Sequence, residues 1–480
     1  MIPFDPRKFD FTTEEILENA TKRGLLSAEI EFNRNCNYRC PYCYAAGNCS
    51  NEMLDRETAE SVIRQVAALG GRKIVVLGGE PLLYPHLEDM IRLITSLDMV
   101  AEIFTNGALI TAERAAFFRE YGCRVVVKLN TLRPEIQEQL TGVPHAMEYA
   151  MNAIRLLKEA GFDDETLVAS SVICSANEGE VVSLWKYLRQ NGIKPYLEIL
   201  TPQGRLMENR QLEVHPDRLK EIFEEISAFD NINGYCWTPQ PPLVGSKCLR
   251  HQYSCVICAN GNVIPCVGLT TVLGSIYEQS LAEIVRESVV LRKLRDYREK
   301  IKGPCRTCEK ADTCYGCCGA AYQLTGDYLA SDPLCWKNSH LLGEPPALPS
   351  DARQWIPHKD PIVMVDRLLE FGEWDIVEAV IRPDNRFLNS DGILDNDVIP
   401  ELVAQGCAVI TGFEKNNHDL GGMLTGLRAI RFLSDVRSGD TLHIYIRETG
   451  FIDNYHTLDF KLRRADGQLC AEGELSICEL

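Results

Sequence analysis

Short runs rich in valine and isoleucine alternate with amphipathic stretches through the first half of the chain. Residues 28–33, 73–77, 100–105, 124–130, 166–173 and 194–200 read as strands, largely apolar as strands covered on both faces are. Residues 55–69, 111–121, 144–160 and 179–190 carry the period of surface helices. Six strand–helix repeats predict an α/β fold, a parallel sheet with right-handed crossovers, and a partial (β/α)6 barrel satisfies that order. Such sheets carry their sites at the carboxyl ends of the strands.

From about residue 235 to residue 336 the pattern changes. Cysteines become dense, helices are expected to be few, and Asn260-Gly261 marks a turn. A stretch of this kind is ordered by metal more than by an apolar core. Gly343-Glu344-Pro345-Pro346-Ala347-Leu348-Pro349-Ser350 has three prolines in eight residues and predicts a stiff, extended linker. Beyond it, residues 426–433, 440–449, 457–464 and 468–478 read as strands. Leu442, Ile444 and Ile446, then Leu458, Phe460 and Leu462, alternate as in a sheet with one buried face. An apolar helix over 399–413 completes an antiparallel sheet wrapped on a helix. The expected division is a lead-in over 1–27, the barrel over 28–234, a small cysteine-rich domain over 235–342, the linker over 343–351 and an α+β domain over 352–480.

The chain of 480 residues has a formal charge of −18, which argues against general affinity for nucleic acid or anionic membrane. No run of eighteen apolar residues occurs, so no spanning helix is predicted, and Met1-Ile2-Pro3-Phe4-Asp5-Pro6 lacks the basic and apolar parts of a secretory signal. Twenty cysteines in a long chain without such a signal favour metal over disulfides and a cytoplasmic location.

Three of those cysteines dominate the chemistry. Cys36-Asn37-Tyr38-Arg39-Cys40-Pro41-Tyr42-Cys43 can hold a cubane iron–sulfur cluster by three of its four irons, whereas electron-transfer clusters usually take four cysteines. Closely spaced cysteines also suit zinc, which would want a fourth ligand. Cys-x3-Cys-x2-Cys with an aromatic before the last cysteine resembles the radical S-adenosylmethionine (SAM) family. The resemblance implies that the open iron chelates SAM and that an electron splits the sulfonium to a 5′-deoxyadenosyl radical. It implies Tyr42 near the adenine and Gly78-Gly79-Glu80-Pro81, after the second strand, around the SAM amino group. It also implies contacts from Thr105 and Asn106 at the end of the third strand, from Asn130 at the end of the fourth, and from Ser171 or its neighbour Ser170 on the fifth.

Cys248-x12-Gly261-x4-Cys266, then Cys305-x2-Cys308-x5-Cys314-x3-Cys318 and Cys335, resemble the SPASM extension of that family. The resemblance implies two auxiliary clusters, hence three four-iron (4Fe-4S) clusters in all. One would take Cys305, Cys308, Cys314 and Cys335. The other would take Cys248, Cys266 and Cys318 with Cys255 as fourth ligand; Cys258 competes for that place, and Cys317 with Cys318. A pair of zinc ribbons satisfies the same spacing. Complete ligation favours electron uptake from a substrate radical, so the net reaction is an oxidation. An electron donor such as flavodoxin or ferredoxin is implied. The substrate is a metabolite, a carrier-bound group or a peptide; a non-catalytic iron–sulfur or acyl-binding protein is the alternative.

Ile356-Pro357-His358-Lys359-Asp360-Pro361-Ile362-Val363-Met364-Val365-Asp366-Arg367 resembles the opening of hot-dog-fold dehydratases acting on β-hydroxyacyl carrier proteins. Pro400-Glu401-Leu402-Val403-Ala404-Gln405 matches their central helix and makes Glu401 the candidate catalytic acid. Those enzymes pair the acid with a histidine from the segment just before the helix, and residues 386–392 contain none. Glu401 is therefore expected to lack its acid–base partner, and His358 to be structural. The expectation is a degenerate domain that binds an acyl or carrier-linked group or forms a homodimer, with an active dehydratase as the alternative.

Overall fold

The computed structural model describes residues 4–45, 52–239, 248–311, 314, 316–338, 348–370, 374–414, 422–452 and 455–479. They form two compact units, Met1–Leu342 and Gly343–Leu480.

In the first unit the parallel strands are β1 (Ser27–Glu31), β2 (Lys73–Leu77), β3 (Val100–Thr105), β4 (Arg124–Lys128), β5 (Leu167–Ile173) and β6 (Lys194–Ile199). They lie in sequence order, neighbour beside neighbour. The expected parallel α/β core is present, with the expected helices at Arg56–Ala68, Ala112–Glu120, Ala146–Glu159 and Val181–Gln190. Helices Thr13–Lys22, Leu87–Ser96, Pro134–Thr141 and Pro216–Ile232 add to them. The first is fixed by a capping box in which Thr12 and Glu15 exchange side-chain and backbone bonds.

The cysteine-rich segment continues this sheet. Strand β7 (Val256–Ile257) runs parallel to β1, with Glu29 opposite Val256 and Ile30 opposite Ile257. Strands β8 (Asn262–Ile264) and β9 (Gly274–Ser275) follow antiparallel, giving nine strands in the order β6-β5-β4-β3-β2-β1-β7-β8-β9. The expected turn at Asn260-Gly261 joins β7 to β8, and Gly261 has φ +84°. Few helices were expected here, but among the described residues the segment has five α-helices: Arg250–Tyr253, Leu281–Glu287, Val289–Arg295, Tyr297–Lys300 and Cys318–Thr325. None exceeds eight residues, too short for helical periodicity to stand out along the chain.

One face of the sheet carries Ala28, Ile30, Ile74, Val76, Ile103, Val125 and Val127 against Val62, Ile63, Met90, Ile91 and Leu157 of the helices. Strands β1, β4 and β5 are covered on both faces as expected, but the other face also carries charges. There the alternate positions include Glu29, Glu102, Lys128, Ser170, Tyr196 and Glu198. The charges are compensated. Glu102 accepts from Lys73 at 3.1 Å and from Arg124 at 3.2 Å, and Arg124 also donates to Asp10.

The second unit is a seven-stranded antiparallel sheet. Its strands are β10 (Ser350–Asp351), β11 (Arg367–Glu370), β12 (Asp375–Val380), β13 (Gly422–Phe432), β14 (Thr441–Ile452), β15 (Tyr455–Arg464) and β16 (Leu469–Glu479), in the order β10-β11-β12-β14-β15-β16-β13. The expected apolar helix is Ile399–Glu414, and Leu402, Val403 and Val409 pack with Val377, Ile444, Phe460 and Leu462. Residues 339–347, most of the proline-rich linker, lie outside the described residues.

Candidate active site

The three-cysteine loop leaves the carboxyl end of β1 and is fastened from three sides. Gly79 N donates to Asn33 O at 2.9 Å and Glu80 N to Asn35 O at 2.7 Å. Arg39 N donates to Thr141 O at 2.9 Å, and Arg205 N donates to Cys43 O at 3.1 Å. Two of these fastenings need glycine. A Cβ on Gly79 would overlap the Asn35 carbonyl, and one on Gly204, at φ +57°, would overlap the Cys43 carbonyl. The motif reading found Gly79 and missed Gly204, which follows β6 and has no local signature.

Cys40 is pushed up to about 12 by burial and then by the thiols of Cys43 and Cys36, so the three sulfurs lie within electrostatic reach of one another. Tyr38 N donates to Cys36 Sγ at 3.4 Å. Around this loop Asn33 Oδ1, the hydroxyls of Tyr38 and Tyr44, and Glu29 Oε2 are buried without a hydrogen-bond partner among the described residues. Buried polar atoms are normally paired, so this group has bonding capacity in reserve for a ligand.

Glu80 does not itself point outward. Its Oε1 accepts from Leu82 N at 3.1 Å and from the Thr105 hydroxyl at 2.7 Å, and its Oε2 accepts from Asn106 N at 2.8 Å. Burial raises the carboxyl to about 6 against those three bonds. Pro81 starts the 3-10 turn Pro81–Leu83 that presents Leu82 N. Asn106 Nδ2 reaches back to Asn37 Oδ1 at 2.7 Å. Glu80, Thr105 and Asn106 therefore lock two strand ends together beneath the cysteine loop, and backbone groups remain to meet a ligand.

Asn130 is fully buried and occupied: it donates to the Tyr42 hydroxyl at 2.8 Å and accepts from Val172 N at 3.1 Å. Tyr42 itself packs among Leu140, Val172, Cys174, Leu200, Leu206 and Leu212. Ser171 donates to Leu129 O and is wholly buried. Its neighbour Ser170 is on the charged face, where Lys128 Nζ lies 3.2 Å from the Ser170 hydroxyl and 2.8 Å from Glu198 Oε2. The same Nζ stands 5.9 Å from the Tyr42 ring centre, which joins this polar trio to the cysteine loop. Sequence reasoning missed Lys128 and Glu198, because each is one charge inside an apolar run.

The auxiliary cysteines fall into two groups. Around the first, N–H donors meet every sulfur: Asn338 Nδ2 on Cys305 at 3.2 Å, Lys310 N on Cys308 at 3.5 Å, Gly316 N on Cys314 at 3.4 Å and Lys337 N on Cys335 at 3.4 Å. Such bonds suit metal-held thiolates. In the second group, burial and then Cys317, Cys248 and Cys266 push the Cys318 thiol up. Cys317 is raised by burial, then by the buried Asp332 and by Cys266 and Cys248, and it receives Ala320 N at 3.4 Å. His251 Nε2 stands 3.7 Å from Cys318 Sγ. The structure thus gathers Cys248, Cys266, Cys317 and Cys318. Cys255 lies instead in the core of the large sheet beside Ile257, and Cys258 packs with Val256 and Ile264. Among the described residues, no three His, Cys, Asp or Glu side chains converge tightly enough for a single metal ion. A cubane spreads its ligands over separate irons and asks only that they ring a common space.

In the second unit, Glu401 has a neighbouring histidine. His358 Nε2 lies 3.7 Å from Glu401 Oε1. The histidine comes from the opening motif and not from residues 386–392, where it was sought and where none is present.

Residues 30–188 match the radical SAM superfamily, residues 248–309 the iron-sulfur cluster-binding domain SPASM, and residues 350–480 the ApeP-like family, described as ApeP dehydratase. Cys314, Cys318 and Cys335 lie beyond the SPASM match. An AdoMet-dependent heme synthase of Methanosarcina barkeri is 29% identical over 335 residues, covering 64% of this chain and 94% of its own. A PqqA peptide cyclase of Granulibacter bethesdensis is 25% identical over 332 residues, covering 65% of this chain and 86% of its own. SuiB of Streptococcus suis, in a crystal structure with S-adenosylmethionine, shares the fold at TM-score 0.54 and 18% identity, over 65% of this chain and 78% of its own. Among the described residues no helix is long and apolar enough to cross a membrane. Residues 30–188 are thus a radical SAM domain and residues 248–309 a SPASM iron–sulfur domain, in one chain with a domain of the ApeP-like dehydratase family over residues 350–480.

Proposed function

We propose that the protein oxidises an acyl-type metabolite, free or tethered to a carrier, by SAM-dependent hydrogen abstraction. The observation that carries this reading is the cysteine loop fastened over Gly78 and Gly79, with unpartnered polar atoms around it. Cys36, Cys40 and Cys43 would hold a four-iron cluster, and the backbone at Gly78 and Gly79 would receive the SAM amino group. Bound together and reduced, the pair supplies a 5′-deoxyadenosyl radical. Tyr42, set by Asn130, forms an aromatic wall beside it; Glu80, Pro81, Thr105 and Asn106 hold the cradle's shape, and Ser171 braces β5 against Leu129.

Cys305, Cys308, Cys314 and Cys335 would hold a second cluster. Cys248, Cys266 and Cys318 would hold a third, and Cys317 replaces Cys255 as its fourth ligand because it lies with the other three. Full cysteine ligation at both suits them to accept the electron left on the substrate. The proton lost with it goes to the Lys128–Ser170–Glu198 trio on the charged face of the sheet. The C-terminal domain of the ApeP-like family favours an acyl substrate. A peptide is the second reading, favoured by the PqqA peptide cyclase relative and by SuiB, whose structure with precursor peptide SuiA has TM-score 0.54 to this chain. A flavodoxin or ferredoxin supplies the electron in the cytoplasm. A homodimer forms along edge strand β13, which exposes Met423, Leu427 and Phe432.

Anaerobically reconstituted protein with SAM and dithionite should form 5′-deoxyadenosine; none formed from a fully loaded, reduced protein refutes the reading. The Cys36→Ala, Cys40→Ala, Cys43→Ala variant should keep about eight of about twelve irons. From that variant, adding Cys317→Ala should alter the remaining spectrum and adding Cys255→Ala should not; the reverse result restores Cys255 as ligand.

A further inference from the structure

Two side chains face one sulfur of the second cysteine group. His251 lies in the short helix Arg250–Tyr253, just after Cys248, and its Nε2 stands 3.7 Å from Cys318 Sγ, within reach of a hydrogen bond to sulfur. Tyr297 opens the helix Tyr297–Lys300 and packs with Cys318 among Leu269, Leu294 and Ile301. Burial pushes the Cys318 thiol up, and a hydrogen bond from the Tyr297 hydroxyl works against that rise. His251, Tyr297 and Cys318 are all buried, so bulk water does not compete for the sulfur.

Reciprocal bonds fix the segments that carry the two rings. Gln252 Nε2 donates to Arg295 O at 2.7 Å, and Arg295 Nε donates to His251 O at 3.3 Å. From the other side Asn19 Nδ2 donates to Gln252 O at 3.2 Å. The His251 Nδ1 is buried without a hydrogen-bond partner among the described residues, so no bond made there orients the ring. Its polar contact is with Cys318. A sulfur that holds iron is a thiolate and can only accept. In the loaded protein Nε2 therefore carries the ring hydrogen, and Tyr297 gives its hydroxyl hydrogen to the same atom. Hydrogen bonds to an ionised acceptor are the strong kind.

We propose that His251, assisted by Tyr297, raises the reduction potential of the cluster held by Cys248, Cys266, Cys317 and Cys318. This rests on the cluster assignment made above and adds what sets its affinity for an electron. One electron, left on the substrate after hydrogen abstraction, adds one negative charge to the cluster and its thiolates. Donors aimed at Cys318 bind that extra charge, so the reduced state gains more from them than the oxidised state does. The hydrogens on Nε2 and on the hydroxyl stay where they are. Both residues act through Cys318 and are positioning residues. His251 is not a ligand: its Nε2 is closer to Cys318 Sγ than two ligands on different irons of one cubane stand.

The test is an anaerobic redox titration, followed by electron paramagnetic resonance, of the full-length Cys36→Ala, Cys40→Ala, Cys43→Ala variant, whose iron belongs to the auxiliary clusters. His251→Phe should lower one of the two midpoints by about tenfold in the reduction equilibrium, roughly 59 mV for one electron, and leave the other in place. Tyr297→Phe should move the same midpoint in the same direction. His251→Gln, whose amide NH2 reaches the place of Nε2, should recover most of the shift, which a ring needed only for packing would not allow. Iron should stay at about eight atoms throughout. Iron well short of that before His251 is changed overturns the cluster assignment, and this proposal with it. Full iron with unmoved midpoints in His251→Phe, or equal shifts in the Phe and Gln variants, overturns the proposal alone. So does the loss of about four irons in His251→Phe, which would make the histidine a ligand. Where His251→Phe fails to fold, Tyr297→Phe decides, since it removes a single oxygen; an unmoved midpoint there overturns the proposal.

Discussion

Replacing Glu80 with glutamine tests whether the SAM cradle is held by this carboxylate. The change keeps the shape and alters only the bonding. Glu80 Oε2 accepts from Asn106 N at 2.8 Å, while Oε1 accepts from Leu82 N at 3.1 Å and from the Thr105 hydroxyl at 2.7 Å. In either flip of the new amide its NH2 faces a backbone N–H. The Thr105 hydroxyl can rotate to accept; Asn106 N and Leu82 N cannot. One buried donor is therefore left unpaired, at a cost of about 1–3 kcal/mol. The segment escapes that cost by drawing Asn106 away from Gly79-Glu80, which opens the cradle. SAM then has to close it again, so its affinity should fall by roughly 5- to 150-fold, at about 1.4 kcal/mol per tenfold. The measurement is a SAM titration followed by the spectrum of the reduced cluster at pH 8, well above the carboxyl's value of about 6, so that the parent carries the charge. Iron content should be unchanged, because all three cysteines remain. Parent-like SAM affinity together with a parent-like melting curve would refute the argument that Glu80 holds the strand ends.

Other perturbations separate the roles of the charged face. Glu198→Gln takes the charge from the partner of Lys128 at 2.8 Å; 5′-deoxyadenosine should still form while product per 5′-deoxyadenosine drops by about 100-fold, and a parent-like ratio would remove the trio from the reaction. Glu102 is pushed up by burial but held below the usual carboxylate range by Lys73 and Arg124, so its contribution to stability is present above about pH 4.5 and lost as pH falls through the depressed value. In denaturant titrations, Glu102→Gln should cost about 3 kcal/mol at neutral pH, by leaving the buried Arg124 short of a counter-charge, and should flatten the acid limb; parallel limbs would contradict the assignment.

Contiguous residues carried what the sequence disclosed. The cysteine loop, the Gly78-Gly79 pair, β2 and β3 each declare themselves within a few positions, and β2 and β3 have their expected limits. Interactions across the chain stayed hidden. Gly204 is needed because its backbone touches Cys43, a fact no local pattern encodes. Strand β7 is two residues long and exists only because β1 offers a free edge. Spacing alone cannot choose between Cys255 and Cys317, since the choice depends on which cysteine the sheet core absorbs. That His358 lies near Glu401 was hidden for the same reason: Gln405 ties the opening motif to the helix through tertiary bonds.

The ladder between β1 and β7 has a mechanical consequence. Leu26 N donates to Tyr253 O and Glu29 N to Cys255 O, each at 2.9 Å, so the backbone that leads into the SAM-type cysteine loop is stitched to the backbone that follows Cys248. Stitched strands shear only by breaking several peptide bonds' worth of pairing at once, unlike parts joined by a tether. In the reaction proposed here, the distance between the cysteine loop over residues 36–43 and the segment after Cys248 would thereby be set at folding. Accommodation of bulkier or smaller guests is left to the rim loops, and loop exchange is the route by which such a scaffold changes its chemistry without retuning its wiring.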